Sequence, residues 1–143
     1  MTKWITAYFA GWQHHSGRLP TSEINWNAMT HMCYFARNIL YDSSTDSYYV
    51  SPPGPLENIT EEKLADIVPA AHNNGVRIIM SFGGAGNTDF INAIMGTDTD
   101  REKIANEIVQ FMVDYGFDGV DLDPEPVNSI SDNSKLADFV VRC

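Results

Sequence analysis

The stretch FMVDYGFDGVDLDPEP, residues 111–126, runs from the end of a predicted helix through a turn into a predicted strand. The helix begins at Thr99, which we expect to form a capping box with Glu102, and Gly116 ends it. Its apolar side chains recur at helical spacing, at Ile104, Ile108, Phe111, Met112 and Tyr115. The strand Phe117–Asp123 follows directly, so this stretch is a helix-to-strand junction of an α/β protein.

The same alternation of strand and helix runs through the rest of the chain. We predict strands at Trp4–Gly11, His31–Ile39, Val76–Phe82 and Phe117–Asp123, and helices at Ser22–Thr30, Thr60–Asn73, Thr99–Tyr115 and from Ser131 or Asp132 to Cys143. A helical turn is expected at Asn87–Met95, and the long polar loop Tyr41–Pro55 has room for a small hairpin. Strands that alternate with helices in this way form a parallel sheet.

Four β/α units are half of an eight-stranded barrel, which typically needs about 250 residues. The chain has 143 residues, and its last predicted helix reaches Cys143. We therefore expect a single half-barrel domain over residues 1–143, with the α/β fold of the (β/α)4 half of a TIM-type (β/α)8 barrel. An open doubly wound sheet is the alternative at this length.

The composition limits the classes of function. The net charge of −10 would repel a phosphate backbone, so we expect no nucleic-acid partner. Apolar stretches fall short of the roughly 20 residues that a spanning helix needs, so we expect no membrane partner. The two cysteines, Cys33 and Cys143, predict no disulfide framework. No signal peptide precedes the first predicted strand, which indicates an intracellular protein or a leader already removed.

The fourth predicted strand carries acids on one face. Side chains alternate along a strand, so Asp121, Asp123 and Glu125 share one face, while Val120 and Leu122 share the other. Neighbouring carboxylates would then be roughly 6.5 Å apart along the strand. Parallel strands usually carry apolar side chains on both faces, and sites in both candidate folds lie at the carboxyl ends of strands. The acidic face therefore predicts a functional site.

Crowded carboxylates cannot all ionise without cost, so the pKa of at least one should be raised. A carboxylic acid that stays protonated near neutral pH can protonate a leaving-group oxygen. A divalent metal site is the second interpretation, although no calcium-loop spacing is present, and a solvated acidic loop is the third. We predict general acid chemistry with no metal or cofactor, and we interpret His14 and His15 as solvated loop residues rather than metal ligands.

Several segments of the chain resemble one enzyme family. DGVDLDPE, residues 118–125, resembles the DGxDxDxE signature of the family 18 glycoside hydrolases, the chitinases and endo-β-N-acetylglucosaminidases. SFGG, residues 81–84, resembles the SxGG at the end of that family's third strand. INWNAMTHMCYFA, residues 24–36, and FMVDYGFDGVDLD, residues 111–123, resemble the family's second strand and its third helix with the fourth strand. The resemblance covers the whole chain, but only the first half of the family's barrel.

The resemblance implies a substrate-assisted retaining mechanism, which is an exception to the scheme with two catalytic carboxylates. By position, Glu125 would be the general acid that protonates the glycosidic oxygen. Asp123 would hold the N-acetyl group of the substrate while its carbonyl oxygen attacks the anomeric carbon, and Asp121 would pair with Asp123. Asp118 opens the motif and is expected to have a structural role.

Further positions match the family's sugar site or lie beside it. Tyr8 matches a first-strand tyrosine at the base of that site, and Ser81 matches the serine of the SxGG motif. We include Gly84 of the same motif among the substrate-binding residues. Trp12, beside the expected cleft, either stacks on a sugar ring or packs on its own domain. Ala85 stands where many members carry a tryptophan, so one stacking platform is missing.

Other departures concern the order and the extent of the family pattern. Pro124 stands where the family usually has an aromatic or aliphatic residue, and Tyr34-Phe35-Ala36 inverts a frequent Tyr-Ala-Phe order. A tyrosine of the family's sixth strand and a tryptophan of its eighth strand have no counterpart in the chain.

The resemblance implies hydrolysis of β-1,4-linked N-acetylglucosamine polymers, with a chitooligosaccharide as the ligand and with the secretion that is usual in the family. The alternative is a non-hydrolytic carbohydrate-binding protein or an inactive half-barrel fragment of a longer chitinase. Exposed strand edges are a liability, so we also expect a homodimer whose two halves close an eight-stranded barrel.

Overall fold

A computed structural model describes residues 3–14, 18–56, 58–126 and 130–143. The strands are β1 (Thr6–Ala10), β2 (His31–Arg37), β3 (Ile39–Asp42), β4 (Ser47–Val50), β5 (Arg77–Gly84) and β6 (Gly119–Pro124). The α-helices are α1 (Glu61–Asn73), α2 (Thr88–Met95), α3 (Asp98–Tyr115) and α4 (Asn133–Arg142). Short 3-10 helices lie at Gly11–Gln13, Thr21–Glu23 and Trp26–Ala28. No helix in the described ranges has the length and apolar character that a membrane span requires.

Four of these strands form one parallel sheet in the order β1-β2-β5-β6. The register places Tyr8 beside Cys33 on the first pair of strands and Ser81 beside Asp121 on the last pair. This confirms the predicted parallel α/β arrangement. The remaining strands, β3 and β4, form an antiparallel hairpin. It lies mostly in the long polar loop where the sequence left room for one, but it begins at Ile39, because the strand predicted at His31–Ile39 ends at Arg37.

The helices cover one face of the sheet. Met32, Tyr34, Met80 and Phe82 belong to an apolar cluster that they share with side chains of the helices, including Leu64, Ile67, Ile104, Ile108 and Phe139. On the opposite face Tyr8 keeps 67% of its surface exposed. A doubly wound sheet would bury both of its faces under helices. The architecture of the described residues is therefore that of a partial barrel, whose inner face carries the acidic residues.

The longest helix, α3, has its cap two residues before the predicted position. The Thr97 side chain accepts a hydrogen bond from the Asp100 backbone, and the Asp100 carboxylate accepts one from the Thr97 N–H at 2.8 Å. The predicted capping box of Thr99 and Glu102 is therefore wrong, because the chain repeats the same pattern of hydroxyl and acid two residues earlier. Gly116 ends the helix in the left-handed conformation with φ 74°, as predicted.

The prediction of a helix at Ser22–Thr30 is also wrong. The segment forms two separate 3-10 turns, and between them Ile24 is extended at φ −73° and ψ 126°. Asparagine and β-branched residues favour helices weakly, and Asn25, at φ −81° and ψ 80°, lies outside helical geometry. Ile24 and Trp26 instead pack against the apolar cluster. The local conformation thus places these two partly buried side chains on the core.

Candidate active site

Asp121 lies where side chains from four strands meet. Its Oδ2 atom accepts hydrogen bonds from Ser81 Oγ at 2.8 Å, Cys33 Sγ at 3.4 Å and Tyr8 Oη at 3.4 Å. The four residues come from β1, β2, β5 and β6, so they form a hydrogen-bonded cluster across the inner face of the sheet. The structure thus brings together Tyr8, Ser81 and Asp121, which the sequence assigned to one site, and it adds Cys33 to them.

Asp121, Asp123 and Glu125 follow one another towards the carboxyl end of β6, and we call these three residues the acidic row. The strand ends at Pro124, so Glu125 lies just beyond it, at the end of the sheet where sites in barrels are found. Burial raises the pKa of Asp123, and the charges of Glu125 and then Asp121 raise it further. The pKa of one carboxyl group is thus raised in the predicted direction, with burial as the largest cause and the neighbouring acids after it, and that group belongs to the middle acid of the row. A proton on Asp123 relieves repulsion on both sides.

Asp118, the first acid of the motif, is bound at the other end of the strand. Its Oδ2 atom accepts a hydrogen bond from the Ile78 N–H at 2.8 Å and lies 2.9 Å from His72 Nε2. These contacts tie the start of β6 to β5 and to α1. Asp118 therefore has the structural role that the sequence analysis expected of it.

Gly83 and Gly84 allow β5 to lie against the acidic strand and against β2. They pair in register with Asp123 and Pro124. Both have positive φ angles, 109° for Gly83 and 102° for Gly84. A Cβ atom on Gly83 would lie 2.2 Å from the Asp123 carbonyl oxygen, and one on Gly84 would lie 2.9 Å from the Phe35 ring. The two glycines of the SFGG stretch thus meet a steric requirement beside the carboxylates.

A groove of about 460 Å³ adjoins the acidic row through these glycines. Its walls include Trp12, Phe35, Leu56, Asn58, Gly84 and Ala85. Trp12 is 44% exposed, and its ring meets the Phe35 ring edge-on with 5.8 Å between the centroids. Trp12 and Gly84 therefore line a groove next to the acidic row, whereas Tyr8 and Ser81 donate hydrogen bonds to Asp121 within it.

Cys33 and Phe35 are site residues that the sequence analysis did not identify. Both lie on β2, where they alternate with Met32 and Tyr34, which belong to the apolar cluster on the helix side. The period-two alternation is visible in the sequence. Because all four side chains are apolar or weakly polar, the alternation does not tell which pair faces the site.

His14 is buried, with 3% exposure, which corrects its interpretation as a solvated loop residue. Its Nδ1 lies 3.0 Å from Tyr34 Oη, and its Nε2 lies 2.9 Å from Thr21 Oγ1 and 3.3 Å from Asp66 Oδ2. The ring thus joins the segment after β1 to β2 and α1, an arrangement that no local sequence pattern signals. His15 lies outside the described residues. Across the described ranges, no group of three or more His, Cys, Asp and Glu residues is placed to hold a metal ion.

A larger cavity, of about 580 Å³, lies around His14 and Asp66. Its walls include none of the carboxylates of the acidic row. We therefore identify the acidic row and the adjoining groove as the candidate active site, on the chemistry of their side chains rather than on volume.

Comparison with known proteins gives one family for nearly the whole chain. The family model described as "Glycosyl hydrolases family 18" matches residues 5–142. A chitinase-like effector of Moniliophthora roreri is 29% identical over 119 residues, which cover 83% of this chain and 27% of that protein. The crystal structure of a chitinase from Rhizomucor miehei matches with a TM-score of 0.75 at 19% identity, over 98% of this chain and 42% of that one.

Human YKL-39, described as a pseudo-chitinase with retained chitooligosaccharide binding properties, matches with a TM-score of 0.68 at 18% identity. That match covers 97% of this chain and 37% of the human protein. The chain thus spans well under half the length of each of these proteins. At such low identity the structural matches establish the fold, which is a partial barrel.

Proposed function

Because the chain belongs to glycoside hydrolase family 18, we propose that it hydrolyses β-1,4-linked N-acetylglucosamine polymers through a substrate-assisted retaining mechanism. The observation that carries the proposal is the acidic row, in which Asp123 has a raised pKa between Asp121 and Glu125. Three carboxyl groups close enough to influence one another can supply both a proton donor and a partner for an amide. The adjoining groove supplies space for further sugar rings.

In the proposed first step, Glu125 donates its proton to the glycosidic oxygen. The carbonyl oxygen of the substrate's own N-acetyl group forms a bond to the anomeric carbon as the bond to the leaving group breaks. Asp123 accepts a hydrogen bond from the amide N–H and so directs the carbonyl oxygen at the anomeric carbon. In the second step water attacks that carbon from the side that the leaving group vacated, and the bond from the carbon to the N-acetyl oxygen breaks. The Glu125 carboxylate takes the proton of the water, and the N-acetyl group is restored.

The surroundings of Asp121 support its proposed role as the partner of Asp123. Donors from three other strands contact one of its oxygens, so the carboxylate has a defined orientation. Ser81 acts through Asp121, whereas Tyr8 reaches Asp121 and also keeps most of its ring free for a sugar. We propose that Trp12 stacks on a sugar ring in the adjoining groove, which Gly84 keeps open towards the acids.

The proposed assembly is a homodimer that closes an eight-stranded barrel, because among the described residues no strand pairs with the outer edge of β1 or of β6. Beside β1, Trp4 is 70% and Ile5 46% exposed. Trp4 stacks on His31, whose buried Nε2 atom has no hydrogen-bond partner among the described residues. Beside β6, Val113 and Val140 line an apolar groove. A two-fold axis along the barrel would place β1 of one copy parallel to β6 of the other.

Carbohydrate binding without hydrolysis is the second candidate function. The acidic row lies against the four strands of a partial barrel, and no described residues cover the side of the row that faces away from the sheet. An open site of this kind can hold a sugar without the water exclusion and the substrate distortion that hydrolysis needs.

Hydrolysis of a fluorogenic chitooligosaccharide tests the proposal. We expect Glu125→Gln to lose about 10²–10⁴-fold in kcat, which is the usual contribution of a general acid. Glu62→Gln, at an exposed position in the first turn of α1, is the matched control and should keep wild-type activity.

Calorimetric binding of the same sugar separates the two candidates. Binding without turnover at any protein concentration would replace hydrolysis by carbohydrate binding. The absence of both binding and turnover would refute both functions.

A further inference from the structure

Cys33 occupies an unusual position among the inner side chains of the sheet. It is 1% exposed, yet it is not part of the apolar cluster between sheet and helices to which both of its neighbours, Met32 and Tyr34, belong. Its Sγ atom faces the acidic row and lies 3.4 Å from Asp121 Oδ2. A thiol is a weak hydrogen-bond donor, and a carboxylate is the acceptor that strengthens such a bond most.

We infer that Cys33 is a positioning residue for Asp121: its thiol donates to Oδ2 and helps to hold that oxygen within the sheet. The bonds from Ser81 and Tyr8 end on the same oxygen. Oδ1 is then the Asp121 atom that remains for the pairing with Asp123 that the proposed function requires. This inference rests on the proposed function for its effect on turnover, but the contact itself is testable without turnover.

The charged and titratable groups around Cys33 favour the protonated thiol. Burial raises the pKa of Cys33, and the negative charge of Asp121 raises it further. Tyr8, on β1, has a pKa raised by burial and then by Asp121, so it too keeps its proton. The other charges of the row, Asp123 and Glu125, are also carboxyl groups and add no cation that would favour a thiolate. Cys33 therefore stays a donor throughout the neutral pH range.

The S–H stretching band in the Raman spectrum tests the contact directly. The chain has two cysteines, so Cys143→Ser leaves Cys33 as the single source of the band. We expect Asp121→Asn to shift the band to higher wavenumber, because an amide oxygen accepts more weakly than a carboxylate. Asp123→Asn, which changes a carboxylate that Cys33 does not contact, should leave the band in place. A band that does not move in Asp121→Asn would overturn the inference.

Two substitutions of Cys33 test the positioning role. Cys33→Ser keeps a donor, and Cys33→Val keeps a similar volume without one. We expect Cys33→Val to lower kcat about threefold to tenfold, the usual effect of one lost hydrogen bond, with KM within about twofold. Cys33→Ser should restore most of the kcat that Cys33→Val loses.

Equal kcat in the serine and valine variants would overturn the positioning role even if the band shifts. A wild-type chain that binds sugar without hydrolysing it would refute the proposed hydrolysis instead. In that case the Raman band still decides the contact between Cys33 and Asp121.

Discussion

Replacement of Gly83 by alanine tests whether the close approach of β5 to β6 fixes the acidic row. A Cβ atom there would lie 2.2 Å from the Asp123 carbonyl oxygen and 2.9 Å from the Phe90 ring. Contacts of a real Cβ atom begin at 3.0 Å, so the two strands must separate by about 0.8 Å. The carbonyl oxygen belongs to the backbone, which cannot rotate out of the way as a side chain could.

The expected cost combines two effects. The φ angle of 109° is unfavourable for a residue with a Cβ atom, by about 1–2 kcal/mol, and overpacking adds about 1–3 kcal/mol. We therefore expect Gly83→Ala to lower the free energy of unfolding by about 2–5 kcal/mol. Gly86→Ala is the matched control, because Gly86 has a φ of 83° with nothing within 4 Å of its Cβ position. It should lose only the conformational part, about 1–2 kcal/mol.

Urea unfolding followed by circular dichroism measures both variants against the wild type. Hydrolysis by any fraction of Gly83→Ala that stays folded then reports the displacement of Asp123. A Gly83→Ala variant as stable as Gly86→Ala would refute the steric argument, because the two differ mainly in what the added carbon meets.

Two further predictions concern charge and assembly. The pKa of Asp123 in the folded chain is raised above its ordinary value of 3.8. At pH values between these two pKa values the folded chain binds more protons than the unfolded chain. The free energy of unfolding therefore falls as pH rises through this window. Asp123→Asn should therefore be more stable than the wild type at pH 7 in urea unfolding, and a gain that persists at pH 3 would contradict this account. The homodimer should show twice the 16.0 kDa chain mass by light scattering, and a wild-type monomer would refute it. Val140→Lys, in the groove beside β6, should give monomers, while the more exposed Val141→Lys outside that groove should not.

The order of strands and helices was predictable from the sequence because most elements combine a clear period with a clear end. Thr60 caps α1, Asp132 caps α4, and Gly116 ends α3, each through its own side chain or backbone geometry. The segment Ser22–Thr30 was not predictable in this way. Its conformation depends on the packing of Ile24 against the apolar cluster, to which distant parts of the chain contribute.

The candidate site was predictable where it depends on one strand. The shared face of Asp121 and Asp123 follows from strand geometry alone, and Glu125 lies one residue beyond the end of that strand. The contact from Cys33 was not predictable, because it joins residues 88 positions apart and depends on the stagger between three neighbouring strands. The burial of His14 has the same cause, since Tyr34 and Asp66 reach it from distant elements.

The strand order has a consequence for synthesis on the ribosome. In the sheet β1-β2-β5-β6, every strand after β1 pairs with one that has already been made. The sheet can therefore grow in step with the emerging chain, and the early part of the barrel can be in place before Glu125 is added. During this process the newest strand has an edge with unpaired backbone groups, which can pair with other chains. We therefore expect the need for chaperones to be greatest after one strand has formed and before the next has been made.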